Sequence, residues 1–134
     1  MIHHIELWVP DLAAARRSWG WLLTGLGWTV TELGDTTFEA HDGDLYLFVE
    51  QSPALSGRIH DRLAPGVNHL AFHAGPRARL DQLVAAAPEH GWTLLFPDRH
   101  PYAGGPDHYA AYLENGDGYE VELVATPTAP VASA

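Results

Sequence analysis

The chain has 134 residues, with seven Lys and Arg against seventeen Asp and Glu, a formal net charge of −10, and no cysteine. That length suits one domain burying about two-thirds of the surface its unfolded chain exposes. Lack of cysteine excludes disulfides, thiolate metal sites and cysteine nucleophiles, and fits a cytoplasmic location. The acidic balance argues against nucleic acid as a partner, since that binding needs Lys and Arg to neutralise phosphates. No N-terminal signal pattern is visible, and no apolar run approaches the ~20 residues of a membrane span, so no membrane partner is expected.

Residues 2–9 alternate as a strand, with Ile5, Leu7 and Val9 on one face and His4, Glu6 and Trp8 on the other. Pro10-Asp11 begins a helix with Asp11 as N-cap, and Leu12, Ala15, Trp19, Leu22, Leu23 and Leu26 form its apolar stripe. Gly25 and Gly27 end it. Strands are expected near 28–33, 36–41 and 44–50, divided by Gly34-Asp35 and Asp42-Gly43. A linker over 52–66 holds Pro53, Gly57, Pro65 and Gly66. Beyond it come a strand at 67–74, a helix near 77–88, and strands near 92–96, 109–114 and 119–125. The tail over 126–134, with Pro127 and Pro130 among small residues, has nothing to pack and is expected to be disordered.

The order β-α-β-β-β thus occurs twice, and the landmarks repeat with it. Gly27-Trp28-Thr29 returns as Gly91-Trp92-Thr93, and His4-Ile5-Glu6-Leu7 is answered by His69-Leu70-Ala71-Phe72. Asp42-Gly43 is answered by Asp117-Gly118. The expectation is an α+β fold of tandem βαβββ modules forming a curved mixed-sheet cup. Module one covers residues 1–51 and module two residues 67–125. The insertion in module two, Pro97 to His108, is long enough for a functional loop, and Gly104-Gly105 would let it flex as a lid.

Parity selects the side chains that face the cup. With Leu7 and Val9 under one helix and Leu70 and Phe72 under the other, His4, Trp8, His69 and His73 share the opposite face. Val121 and Leu123 are the packing pair of the last strand, which leaves Glu120 and Glu122 with the histidines. Two imidazoles and a carboxylate, His4, His69 and Glu122, make an open three-ligand set for a divalent first-row metal.

The segments His4-Ile-Glu-Leu-Trp-Val-Pro-Asp-Leu, Val67-Asn-His-Leu-Ala-Phe and Asp117-Gly-Tyr-Glu-Val-Glu-Leu-Val resemble the vicinal oxygen chelate superfamily. That group includes glyoxalase I, fosfomycin-resistance proteins, extradiol dioxygenases and bleomycin-resistance proteins. The resemblance covers about residues 1–125 and implies one divalent metal ion (Fe, Mn, Ni, Zn or Co) on His4, His69 and Glu122. It also implies a small-molecule substrate with adjacent oxygens, and a lyase, isomerase, transferase or dioxygenase activity. Glyoxalase I takes a fourth ligand from the closing strand of its first module. Here a gapless match puts Leu47 opposite Glu122, and a one-residue shift puts Phe48 there. Neither can ligate, and Glu50 needs a further shift. His108 and Tyr102 are candidate catalytic groups from the inserted loop, while Trp8, His73 and Glu120 are candidate substrate contacts. A homodimer is expected, because open sheet edges need covering. The alternative is a non-catalytic protein that sequesters a drug or metabolite, as bleomycin-resistance members do.

Overall fold

The computed structural model describes residues 1–128. Module one runs β1 (His4–Trp8), α1 (Leu12–Ala15), a π turn (Arg16–Gly20), α2 (Trp21–Gly25), β2 (Thr29–Glu32), β3 (Thr37–Asp42) and β4 (Leu45–Glu50). Module two runs β5 (His69–His73), α3 (Arg77–Ala86), a 3₁₀ turn (Ala87–His90), β6 (Trp92–Leu95), β7 (Ala110–Asn115) and β8 (Glu120–Val124). Each module forms one four-stranded sheet, ordered β1-β4-β3-β2 and β5-β8-β7-β6. The opening and closing strands are parallel within each sheet, and the other pairs are antiparallel. The tandem βαβββ reading therefore holds, with element ends within two residues of expectation, the second helix included. That helix turns 3₁₀ at Ala87, ahead of Pro88, which cannot donate to the helical ladder.

The first helix starts at the expected cap: Asp11 Oδ1 accepts from the Ala14 amide at 3.1 Å. Its apolar stripe is continuous through the π turn. Leu12, Ala15, Trp19, Leu22 and Leu23 are all buried. Gly27 and Gly91 close the two helical segments at φ 91° and 83°, a left-handed conformation that glycine adopts without penalty. Gly25 has a different role. A Cβ there would lie 2.9 Å from Leu83 Cδ2, so this glycine lets the helices of the two modules approach.

One core joins both modules. Trp19 of the first helix meets Trp92 of β6 edge-to-face, with centroids 5.2 Å apart, and the Trp92 indole N–H donates to Ser18 O at 3.0 Å. Such a pair adds roughly 0.5–1.5 kcal/mol beyond its burial. Thr126 N donates to Gly75 O at 2.7 Å, so the start of the expected tail is tied to the fold, while 129–134 lies outside the described residues. Among the described residues no helix is long and apolar enough to cross a membrane.

The sheet register decides the match between modules. His4 pairs with Tyr46 and His69 with Glu120, so Phe48 occupies the position that Glu122 holds in module two. The one-residue shift is the correct one. Its cause is turn length: Gly43-Asp44 joins β3 to β4, whereas Gly116 to Tyr119 joins β7 to β8. Glu50 lies further along β4, opposite Trp8.

Candidate functional site

Module two gathers polar groups around one carboxylate. Glu122 stands in β8, beside Ala71 of β5 and Tyr112 of β7, and is buried. Its Oε2 lies 3.4 Å from His69 Nε2, and its Oε1 lies 2.6 Å from His108 Nε2. The Tyr112 hydroxyl donates to the same carboxylate. Burial would raise the Glu122 pKa. Hydrogen bonds from Tyr112 and His108 and the charges of His108 and His69 outweigh it, and the carboxyl sits below its ordinary value. Glu122 is therefore an anion when folded, the form that a cation or a proton-transfer partner requires. A depressed carboxylate pKa stabilises the fold above the ordinary range near 4.3, and that contribution is lost as pH falls through the folded-state value.

Tyr112 was not singled out by sequence motif, although parity would have found it: Ala111 and Leu113 pack inward, leaving Tyr112 on the cup face. Burial, then the Glu122 hydrogen bond, pushes its phenol up to about 12. A raised phenol pKa favours the neutral hydroxyl, so its stabilising contribution is intact below pH 10 and lost between pH 10 and about 12. Tyr109, bonded to Asp81, and the half-buried Tyr119 are raised as well, so alkaline ultraviolet titration should show several late tyrosines, and Tyr112→Phe should remove the phase at about 12.

A second layer orients His69. Its Nδ1 lies 2.6 Å from Asn68 Oδ1 and 4.0 Å from Glu120 Oε2. Glu120 is buried and faces Arg62 of the linker at 3.4 Å; Arg62 also reaches Glu114 at 3.6 Å. The contact with Asn68 Oδ1 fixes the ring so that Nε2 is turned toward Glu122.

The inserted loop reaches this cluster through its last residue. His108 precedes β7 and holds Glu122, whereas Tyr102 turns elsewhere, edge-on to Tyr109 at 5.7 Å. Tyr109 in turn bonds Asp81 at 2.7 Å, away from the carboxylate. The loop is a chain of tight turns, with Tyr102 N to Arg99 O, Gly105 N to Tyr102 O and His108 N to Gly105 O. Gly104 serves close approach. A Cβ there would fall 2.5 Å from Tyr112 Oη and 2.7 Å from His108 Cδ2, both partners of Glu122. Gly104→Ala is expected to dislodge that pair and to cost about 1–3 kcal/mol, measured by urea unfolding.

The predicted three-ligand set does not assemble within one chain. His4 lies in module one with its ring stacked on Tyr46 at 5.1 Å, its Nδ1 2.9 Å from His3, and Phe48 edge-on at 6.0 Å. His41 adds to this group, 2.5 Å from Glu39. Among the described residues no group of three or more His, Asp or Glu side chains is arranged to hold a metal ion. His69, His108 and Glu122 meet as a cluster, His108 hydrogen-bonded to one carboxylate oxygen and His69 within ion-pair distance of the other. His73 and Trp8 are exposed on the faces that parity assigned them, and Trp8 lines a cleft between the modules.

Comparison with known proteins agrees with this architecture. Residues 3–112 match the family model of the glyoxalase/bleomycin resistance protein/dioxygenase superfamily. The chain is 42% identical over 126 residues to YqjT of Bacillus subtilis (strain 168), itself uncharacterized, covering 92% of this chain and 98% of that one. A crystal structure from Bacillus halodurans, provisionally assigned as a glyoxalase, superposes with a TM-score of 0.87 at 37% identity, over 94% and 96% of the two chains. A glyoxalase/bleomycin resistance protein from Albidiferax ferrireducens T118 shares the fold at a TM-score of 0.75 and 21% identity, over 95% and 99%. With two βαβββ modules, a family match over most of its length and a relative this similar, the chain belongs to the glyoxalase/bleomycin resistance protein/dioxygenase superfamily.

Proposed function

We propose that this protein is a divalent-metal-dependent enzyme acting on a small molecule with adjacent oxygen atoms. The observation that carries the reading is the buried Glu122 carboxylate, kept anionic and flanked by His69 Nε2 at 3.4 Å. Metal–ligand bonds near 2.1 Å place neighbouring donors roughly 3.0–3.4 Å apart, so this pair has the spacing of two ligands of one ion. Family resemblance adds His4 as the third. Since His4 stands with Tyr46 in module one, completing the set calls for a second copy of the chain that offers its own module one to the cup.

Such an ion supplies Lewis acidity, polarising the oxygens it binds. The chain's own groups account for the remaining work. Asn68 and Glu120 fix the orientation of His69. Tyr112 keeps a neutral hydroxyl available as a donor beside Glu122. His108 bears a ring nitrogen that can take or return a proton within hydrogen-bond reach of the carboxylate.

Metal analysis tests the reading directly. About one Fe, Mn, Ni, Zn or Co per chain is expected, and no stoichiometric uptake of any of them overturns it in favour of metabolite sequestration. The pairing of copies has its own test. Edge strands β1 and β5 and the exposed Ile2 and Leu63, at 63% and 81%, support a homodimer. Light scattering at micromolar concentration should give twice the chain mass of 14.6 kDa, and a monomer contradicts the proposal.

A further inference from the structure

A cleft of about 490 Å³ runs between β1 and β5 beneath linker residues 55–60. Its size falls within the range of small-molecule sites, roughly 300–1,000 Å³. Trp8, Trp19 and Tyr119 supply aromatic walls, Leu55 and Ile59 come from the linker, and His69 is part of the lining. The linker is pinned over the cleft by several contacts. His60 stacks on Tyr119 with centroids 4.7 Å apart and planes 6° from parallel, and its Nε2 contacts Val67 O at 3.0 Å. His60 N donates to Asp117 O at 2.8 Å, and Tyr119 donates its hydroxyl to Trp8 O. A Cβ on Gly118 would lie 2.2 Å from His60 O, so the linker seats on this turn at backbone distance.

Charge and hydrogen bonding narrow the ligand class. Glu6 and Arg58 both line the cleft, and Glu120 faces Arg62, so no single sign dominates. Trp19 is 1% exposed, and its indole N–H has no acceptor among the described residues. Aromatic walls and balanced charge suit a planar, uncharged, largely apolar body.

We infer that this cleft receives the planar apolar portion of the substrate, leaving its oxygen-bearing head at His69. The inference rests on the function proposed above for His69 and Glu122 and names the substrate class: an aryl or similarly flat apolar molecule with adjacent head oxygens. The cleft is a specificity element that the linker forms together with the edge strands β1 and β5.

The test uses 2-naphthol, a flat apolar probe without adjacent oxygens, on the metal-free full-length protein. Its outcome is therefore independent of whether the chain takes up metal. Calorimetric titration should show saturable binding, weakened about tenfold or more in Trp8→Ala, in line with losing one aromatic wall. Ser56→Trp, a linker substitution that fills the cleft, should weaken it similarly. Both sites are exposed, and unchanged melting curves would establish that the variants fold. In nuclear magnetic resonance spectra the indole N–H of Trp19 should shift on titration. Absence of saturable binding, or equal binding by wild type and both variants, overturns the inference.

Discussion

His69→Ala is expected to take metal content from about one ion per chain to none. Loss of the imidazole leaves Glu122 facing His108 and Tyr112, with no nitrogen ligand on its Oε2 side. Because His69 also meets Glu120 and Asn68, a second substitution separates ligation from folding. Glu122→Gln keeps the shape of a buried side chain and can still accept from Tyr112, but it removes the charge. It should fold like wild type and bind no metal. Substitutions in the surrounding layer, Tyr112→Phe and His108→Ala, should instead weaken metal affinity by about 10–100-fold, the usual effect of outer-shell partners. Dialysis against each metal followed by elemental analysis measures all four variants. Retention of one ion per chain by both His69→Ala and Glu122→Gln would rule out the assignment.

Trp92→Ala should be the most damaging core substitution of those considered. Trp92 is 1% exposed, meets Trp19 edge-on, and donates its indole N–H to Ser18 O across the two modules. Removing it opens a cavity at the joint and takes from Ser18 O one of its two donors, the other being the Trp21 amide, at a cost of about 3–5 kcal/mol. For a domain of this size that loss lowers the melting temperature by roughly 10–20 °C. Trp92→Phe keeps most of the ring contact and should recover much of the stability. Trp21→Ala is a useful contrast, since Trp21 is only half-buried and stacks on His90. Calorimetry that gave Trp92→Ala and Trp21→Ala equal melting temperatures would contradict this view of the joint.

Much of the scaffold is legible along the chain because its causes are local. Leu7, Val9, Phe72, Val121 and Leu123 are buried as their alternation requires, and Glu122 lies on the face opposite its packing neighbours. The repeated Gly-Trp-Thr marks two helix ends, since each glycine adopts a left-handed φ after a helical segment. Glu120 shows where local reasoning stops. Parity places it on the cup face, but its burial depends on Arg62, which a linker of irregular path delivers from 58 positions away.

Three further features escape the sequence for related reasons. The pairing of Phe48 with the position of Glu122 depends on how many residues each hairpin turn consumes, and one residue changes the match. Gly104 reads as a flexible hinge in sequence, yet it is a close-packed contact against Tyr112 and His108. His108 and Tyr102 share one loop, but its successive turns send only His108 to the carboxylate. By itself the amino-acid sequence determined the duplicated modules, the faces of their strands, and the candidate groups His4, His69 and Glu122. Tertiary structure decided which of them meet. Alternation has a period of two and is set residue by residue, whereas contact between strands follows from turn lengths and module packing. Those brought His69, His108 and Tyr112 to Glu122, and left His4 beside Tyr46 on the other sheet.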